Sequence, residues 1–386
     1  MSSAARYLSL SACATALLLL LQLPNGHAQE LSFAGSAQLD YLHVFSNERA
    51  RAFTLDGFTT ELSMKVSVDV NENISGQIKV CSGCHGFELP AAHVDVLVGD
   101  FLSLRAGRFV PEFGDFPTRY DPANHLSNSK PLPYDMGRML RLRDWNMSVL
   151  PAPYVDNGLE LGLDHNIEDA LALSYFLYLV GGLRASEGAT DVDWKQMRSR
   201  DFYYVDNNSE PMLGGRILAS IFMSKSASLR LGASAVWGHY DPDAELDSLI
   251  VGADLVLLIS GWALRAEYLF RRNEMALGAE PEQSFIYGPG ADGAYDPYFL
   301  KDGFYVETDV PIVESFSLYG RWDGLRRWGN VAVGSTLRSQ SALLRYTLGL
   351  NWEFVRSWRL KATGEFYDFS DFGDETAAHL GIVGSF

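Results

Sequence analysis

Apolar and polar positions alternate with period two along much of this chain. Between 57 and 70, one row holds Phe58, Thr60, Leu62, Met64, Val66, Val68 and Val70, and the other holds Thr59, Glu61, Ser63, Lys65, Ser67 and Asp69. The pattern returns at 344–354, where Leu344, Tyr346, Leu348, Leu350, Trp352 and Phe354 oppose Arg345, Thr347, Asn351 and Glu353. It returns again at 356–366, where Trp358, Leu360, Ala362 and Phe366 alternate with Arg359, Lys361, Thr363 and Glu365. Successive side chains of a strand point to opposite faces, so each segment predicts a strand with one apolar and one charged face. A soluble β-sandwich also alternates, but its strands run about five or six residues. These run about 10 to 15, the length that crosses a bilayer as a tilted strand.

Two further features fit a membrane barrel. Trp352, Phe354 and Trp358 gather at strand ends, as in an interfacial aromatic girdle. The chain closes on "AAHLGIVGSF", with Leu380, Ile382, Gly384 and Phe386 on one face. A terminal aromatic on a short last strand resembles the assembly signal of bacterial outer-membrane barrels. Connections alternate in length: short at 71–75, 99–101, 224–228 and near Val355, long at 111–137, 183–211 and 273–300. The expectation is an all-β protein, a transmembrane antiparallel β-barrel of about 16 strands with long extracellular loops and short periplasmic turns. The pattern offers about 17 strand candidates, and a barrel with both ends in the periplasm needs an even number. The excess candidate falls between 138 and 212.

Residues 1–28 read as a secretory signal peptide, with Arg6, an apolar run over 8–23, and Gly26-His27-Ala28 before the cut. A lipoprotein-like box at Leu10–Cys13 is set aside, because most of the apolar run would follow that cut. Residues 29–386 then form the barrel, placed in a bacterial outer membrane with lipid around it. Beyond the leader there is no apolar run of about 18 residues, and hence no spanning helix. The net charge of -17 argues against a nucleic-acid partner.

Cysteine use changes the picture. Of three cysteines, the two outside the leader lie in "VCSGCHGFEL". Cys81, Cys84 and His85 have the C-x-x-C-H spacing of c-type haem attachment. Alternation puts Ile74, Gly76, Ile78 and Val80 outward, with Ser75, Gln77, Lys79 and Cys81 inward, so Cys84 and His85 reach the outer mouth. In the next strand Ala92, Val94, Val96 and Val98 face outward, while His93 and Asp95 face inward. Haem c would take thioethers from Cys81 and Cys84, with His85 the proximal iron ligand and His93 the opposite one. Met136, His125 and His43 compete for that position, or it stays open. Attachment needs only a local turn. A disulfide, two free thiols or a zinc site are the other readings of the pair.

Charged positions on strand faces are candidate pore-lining residues: Arg141 with Arg143, Arg265 with Glu267 and Arg271, and Arg345 with Glu353. Such groups either set selectivity or neutralise one another inside the lumen. The proline-rich loop 111–137 either folds into the pore or covers its mouth.

The stretch "LSLRAGRFVPEFGDFP" (102–117) resembles bacterial porins related to the phosphate-selective type, through Gly107, Arg108, Phe109, Pro111, Phe113 and Gly114. That resemblance implies passage of small solutes and, from the habit of those porins, a homotrimer. The chain lacks a rich lysine ladder, and such porins do not ordinarily carry C-x-x-C-H. Two readings therefore stand: a porin-like barrel with a haem at its mouth exchanging electrons with a c-type cytochrome, or a passive diffusion porin with a structural cysteine pair. A plugged, adhesive barrel is the third. No G-x-S-x-G or P-loop occurs and Ser335, Ser339 and Ser341 lack a placed base, so no enzyme is expected.

Overall fold

The computed structural model describes residues 30–45, 57–83, 86–135, 148–168, 170–183, 206–277, 286–287, 297–329 and 340–386. Sixteen strands form one closed barrel. They are β1 (Glu30–Val44), β2 (Gly57–Asn71), β3 (Ile74–Gly83), β4 (Gly86–Val98), β5 (Leu102–Phe109), β6 (Asp156–Glu168), β7 (Leu171–Val180) and β8 (Met212–Ser224). There follow β9 (Ala227–His239), β10 (Asp247–Ile259), β11 (Trp262–Glu274), β12 (Tyr298–Val313), β13 (Phe316–Trp328), β14 (Gln340–Val355), β15 (Trp358–Phe369) and β16 (Glu375–Ser385). Each strand pairs antiparallel with its chain neighbours, and β1 pairs β16 to close the ring. Ala276–Leu277 and Ile286–Tyr287 form a separate two-stranded piece.

Period two dictates this wall. Outward side chains are apolar and exposed, as at Leu348 (74%), Leu380 (60%) and Ile217 (56%), whereas inward Asp323, Arg345 and Lys301 are fully buried. An apolar exterior around a closed ladder is what a bilayer requires, since every strand edge is satisfied. The closing seam is fastened by reciprocal backbone bonds between Gly35 and Phe386, both 3.0 Å. A Cβ at position 35 would run into the Phe386 ring and the Ser63 carbonyl, so glycine is required there.

One end of the barrel carries tight turns at 72–73, 99–101, 225–226 and 356–357, where short connections were expected. The other end carries the long segments. β5 pairs β6 directly, and none of the described residues between them is a wall strand. Arg141 and Arg143, read as sharing one strand face, lie outside the described residues.

Alternation has exceptions. Asp302 and Arg326 stand on outward rows, joined by Arg326 Nε (3.0 Å) and Nη2 (2.5 Å), with Tyr268 donating its hydroxyl to Asp302 at 2.8 Å. Arg108 shares the outward row of Leu104 and Ala106, and donates to the Leu89 carbonyl at 2.7 Å and to Asn157 at 3.2 Å. Gly107, at φ 128°, lets β5 pass close to β4; a Cβ there would lie 2.9 Å from the His93 Cα. The Gly-Arg-Phe stretch thus sends Arg108 out and Phe109 into the barrel.

Candidate functional site

Phe109 opens a connection that turns into the lumen. Phe113, Phe116, Leu132, Tyr134, Val149, Leu150, Ala152 and Tyr154 are all fully buried, and they form a hydrophobic core inside the barrel with Leu42, Tyr178, Leu269, Leu325 and Tyr367 of the wall. Apolar loop residues explain the inward fold: they lose water against inward apolar wall positions, which a loop lying over the mouth would not achieve. Of the two placements open for 111–137, the inward one holds for its described residues.

Polar wall groups fasten the loop backbone. Glu267 accepts from the backbone N–H of Asp115 and of Phe116. Glu160 accepts from the N–H of Glu112 at 2.8 Å, and Asp323 from that of Leu132 at 2.8 Å. Basic wall groups take the carbonyls: Lys361 donates to Pro122 (2.5 Å), His125 (2.6 Å) and Ser127 (3.2 Å). Arg321 reaches Ser129 at 3.1 Å, Arg345 reaches Lys130 at 2.5 Å, and Arg271 reaches Val149 at 3.1 Å. Buried backbone groups must find partners, and here β6, β11, β13, β14 and β15 supply them.

Charge pairs complete the fastening. Asp115 meets Arg119 and Arg230, both at 2.8 Å, and Arg119 reaches Glu307 at 2.5 Å. Burial pushes the Asp115 carboxyl up, but these arginines outweigh it and hold the group below the usual carboxylate value. Arg345 and Asp323, both fully buried, pair at 2.5 Å. His125 is buried beside Phe116, with 5.7 Å between ring centres, and among the described residues neither ring nitrogen has a partner. Burial first, then the neighbouring Lys361 and Arg119, push its imidazole well below the ordinary histidine value.

The sequence-predicted lumen residues divide. Arg265, Glu267, Arg271 and Arg345 do face inward. The mutual neutralisation expected of Arg265, Glu267, Arg345 and Glu353 is replaced by other partners: Arg265 meets Asp309 at 2.6 Å, and Arg345 meets Asp323. Glu353 is exposed, opposite Arg359 at the turn end of β14, away from the narrowed zone. Lys361 and Glu365 stand on the charged row of 356–366, whereas Arg321, Asp323 and Glu160 are inward groups that no motif marks. Inward parity is the available signal, but the His125 carbonyl that Lys361 holds lies 236 positions away.

One polar cavity of about 200 Å³ lies between the loop and β3–β5. Gln77, Lys79, His93 and Arg105 line it from the wall, and Glu112 and Tyr120 from the loop. His93 faces inward as expected; Nδ1 is 3.2 Å from the Arg108 carbonyl and Nε2 is 3.4 Å from Asp95. Arg105 donates to Asp95 at 2.7 Å and to Glu160 at 3.3 Å.

Cys81 is buried on the inward row, opposite Ser63 of β2 and Glu88 of β4. Cys84 and His85 lie outside the described residues, as does Met136. The ladder runs on to the Gly83–Gly86 pair, so Cys81 is held on an extended strand. His93 pairs with Gln77, four positions down β3 from Cys81, or ~13 Å of strand. Between them Lys79 is tied to Asp121 at 2.5 Å and to Tyr120 at 2.7 Å. The described residues between Cys81 and His93 therefore do not fit a porphyrin spanning the two, and the cavity is below the ~300 Å³ usual for a drug-sized ligand. His43 sits on the outward row with Leu39 and Tyr41, its ring 4.6 Å from Phe45, so it does not face the lumen.

The architecture is that of outer-membrane porins, a class of channel barrels. The outer-membrane channel DcaP of Acinetobacter baumannii superposes with TM-score 0.54 at 12% identity, covering 94% of this chain and 100% of that one. An anion-selective porin from Comamonas acidovorans gives 0.53 at 10% identity, covering 93% and 100%. The trimer form of OmpT, an outer membrane protein of Vibrio cholerae, gives 0.52 at 9% identity, covering 93% and 100%. No protein-family model matches the sequence, and no curated protein resembles it in sequence. The apolar exterior and the closed porin-type ladder place this chain in a bacterial outer membrane.

Proposed function

We propose that this chain is a passive diffusion channel for small hydrophilic solutes, narrowed by its own inward loop. The observation that carries the reading is the loop fastened across the lumen, with a polar cavity left against β3–β5. The wall there offers Gln77, Lys79, His93 and Arg105, and the loop offers Glu112 and Thr118, so a solute meets hydrogen-bonding groups of both charges. Such a path favours small polar molecules over large or apolar ones. A homotrimer is the assembly proposed, supported by the trimer form of the Vibrio cholerae barrel. Proteoliposome swelling with sugars of rising size tests the reading. Swelling with the smallest sugars and none with oligosaccharides is expected; swelling with neither contradicts it.

A second proposal concerns haem c at Cys81, Cys84 and His85, serving electron exchange with a c-type cytochrome. It is supported by the C-x-x-C-H spacing and by the inward, outer-end position of Cys81. The reduced-minus-oxidised spectrum of protein made with a cytochrome c maturation system tests it. A sharp α-band lost in Cys81→Ala supports it, and a colourless folded barrel ends it.

A further inference from the structure

The cavity is not equally open at its two ends. Toward the turn end, Arg105 and Asp95 keep side-chain exposures of 31% and 27%. Toward the outer end, Lys79 falls to 10%. At that end the loop crosses to the wall. Lys79 Nζ donates to the Tyr120 hydroxyl at 2.7 Å and to Asp121 at 2.5 Å, and lies 4.3 Å from the centre of the Tyr120 ring. Cys81 is the next residue on the same inward row, just beyond this tie. Elsewhere the loop is held by its backbone groups and by other ion pairs, among them Glu112 with Arg216 at 3.3 Å and Asp115 with Arg230 at 2.8 Å. The tie at this end joins Lys79, a wall residue lining the cavity, to a carboxylate of the loop beside Tyr120, which lines it from the other side.

We propose that the Lys79–Asp121 pair, braced by Tyr120, is the filter of the channel: it closes the outer end of the slit and sets the size of solute that passes. The proposal rests on the reading of the slit as the permeation path. A solute moving outward from Arg105 and His93 must separate the ammonium from the carboxylate or pass through what they leave. Both groups remain partly wetted, at 10% and 19%, so the pair opens at modest cost compared with the fully buried Arg345–Asp323 pair. Lys79 and Asp121 thus act together, and removing either one removes the filter.

The test is planar-bilayer conductance of the whole mature barrel with Lys79→Gln, Asp121→Asn and the double variant, beside the unsubstituted protein. A several-fold rise in either single variant, with no further rise in the double, is expected, because one interaction is being removed twice. A second readout uses Cys81 as a reporter, in a Cys84→Ser background. A charged methanethiosulfonate added at the periplasmic side should label Cys81 at least tenfold faster once Lys79 is replaced. If the unsubstituted barrel conducts and the variants conduct alike, with Cys81 labelling unchanged, the filter is not there. If a folded barrel conducts in no variant, the slit is not a permeation path and the channel reading fails with it. Urea resistance of each variant, checked on semi-native gels, separates either result from misfolding.

Discussion

At the scale of the residue, two buried groups make opposite claims on the lumen. Arg345 and Asp323 are a fully buried pair, and Asp323 also holds the N–H of Leu132 and lies 3.1 Å from Arg321. Asp323→Ala removes the nearest carboxylate of Arg345, leaving Asp135 at 3.4 Å and Glu365 at 3.8 Å, and should cost about 3 kcal/mol. The urea midpoint of the barrel in detergent reads this as a clear drop. His125 is neutral where it sits, because burial depresses its imidazole below the ordinary value of 6.5. A depressed group stabilises above its unfolded value and loses that contribution as pH falls, since the unfolded form takes up the proton first. Loop docking should therefore weaken as pH drops below about 6.5. Conductance that rises between pH 7 and pH 5, and does so less in His125→Asn, is the expected outcome. Much of this was legible in part: Arg345 was readable as inward from parity alone, because its neighbours alternate strictly. His125 was not, because its burial depends on a loop whose contacts are remote in sequence.

At the scale of the element, the strands were readable and the inward loop was not. The 57–70 and 344–354 rows appear as β2 and within β14, because lipid on one side and lumen on the other enforce the period. Charges on outward rows, Asp302 with Arg326 and Arg108 alone, break that rule by bonding one another or a strand carbonyl, which no alternation reveals. The loop's apolar residues carry no period, so its inward fold emerges only from Phe113, Phe116 and Tyr134 meeting the wall. Glu267 is the acceptor that holds its descending arm. Glu267→Ala leaves the N–H groups of Asp115 and Phe116 unpaired, at about 1–3 kcal/mol each if they stay buried. Limited proteolysis should then cut within 110–155 while the barrel ladder stays intact.

At the scale of the molecule, the protein is a lipid-facing cylinder whose interior is largely filled by its own chain. That division explains how a chain of net charge -17 spans a membrane: its charges turn inward or pair, and its apolar positions meet lipid. It also explains why the C-x-x-C-H spacing alone decides little. Cys81 is a strand residue in this wall, and Cys84 and His85 lie outside the described residues. In the proposed channel the inward loop, not the barrel diameter, limits what passes. The most direct test is single-channel conductance of the full barrel beside a variant lacking 116–151. A small conductance that rises several-fold when the loop is removed from a barrel that still closes is expected. Equal conductance in the two would contradict it, placing the restriction elsewhere in the lumen.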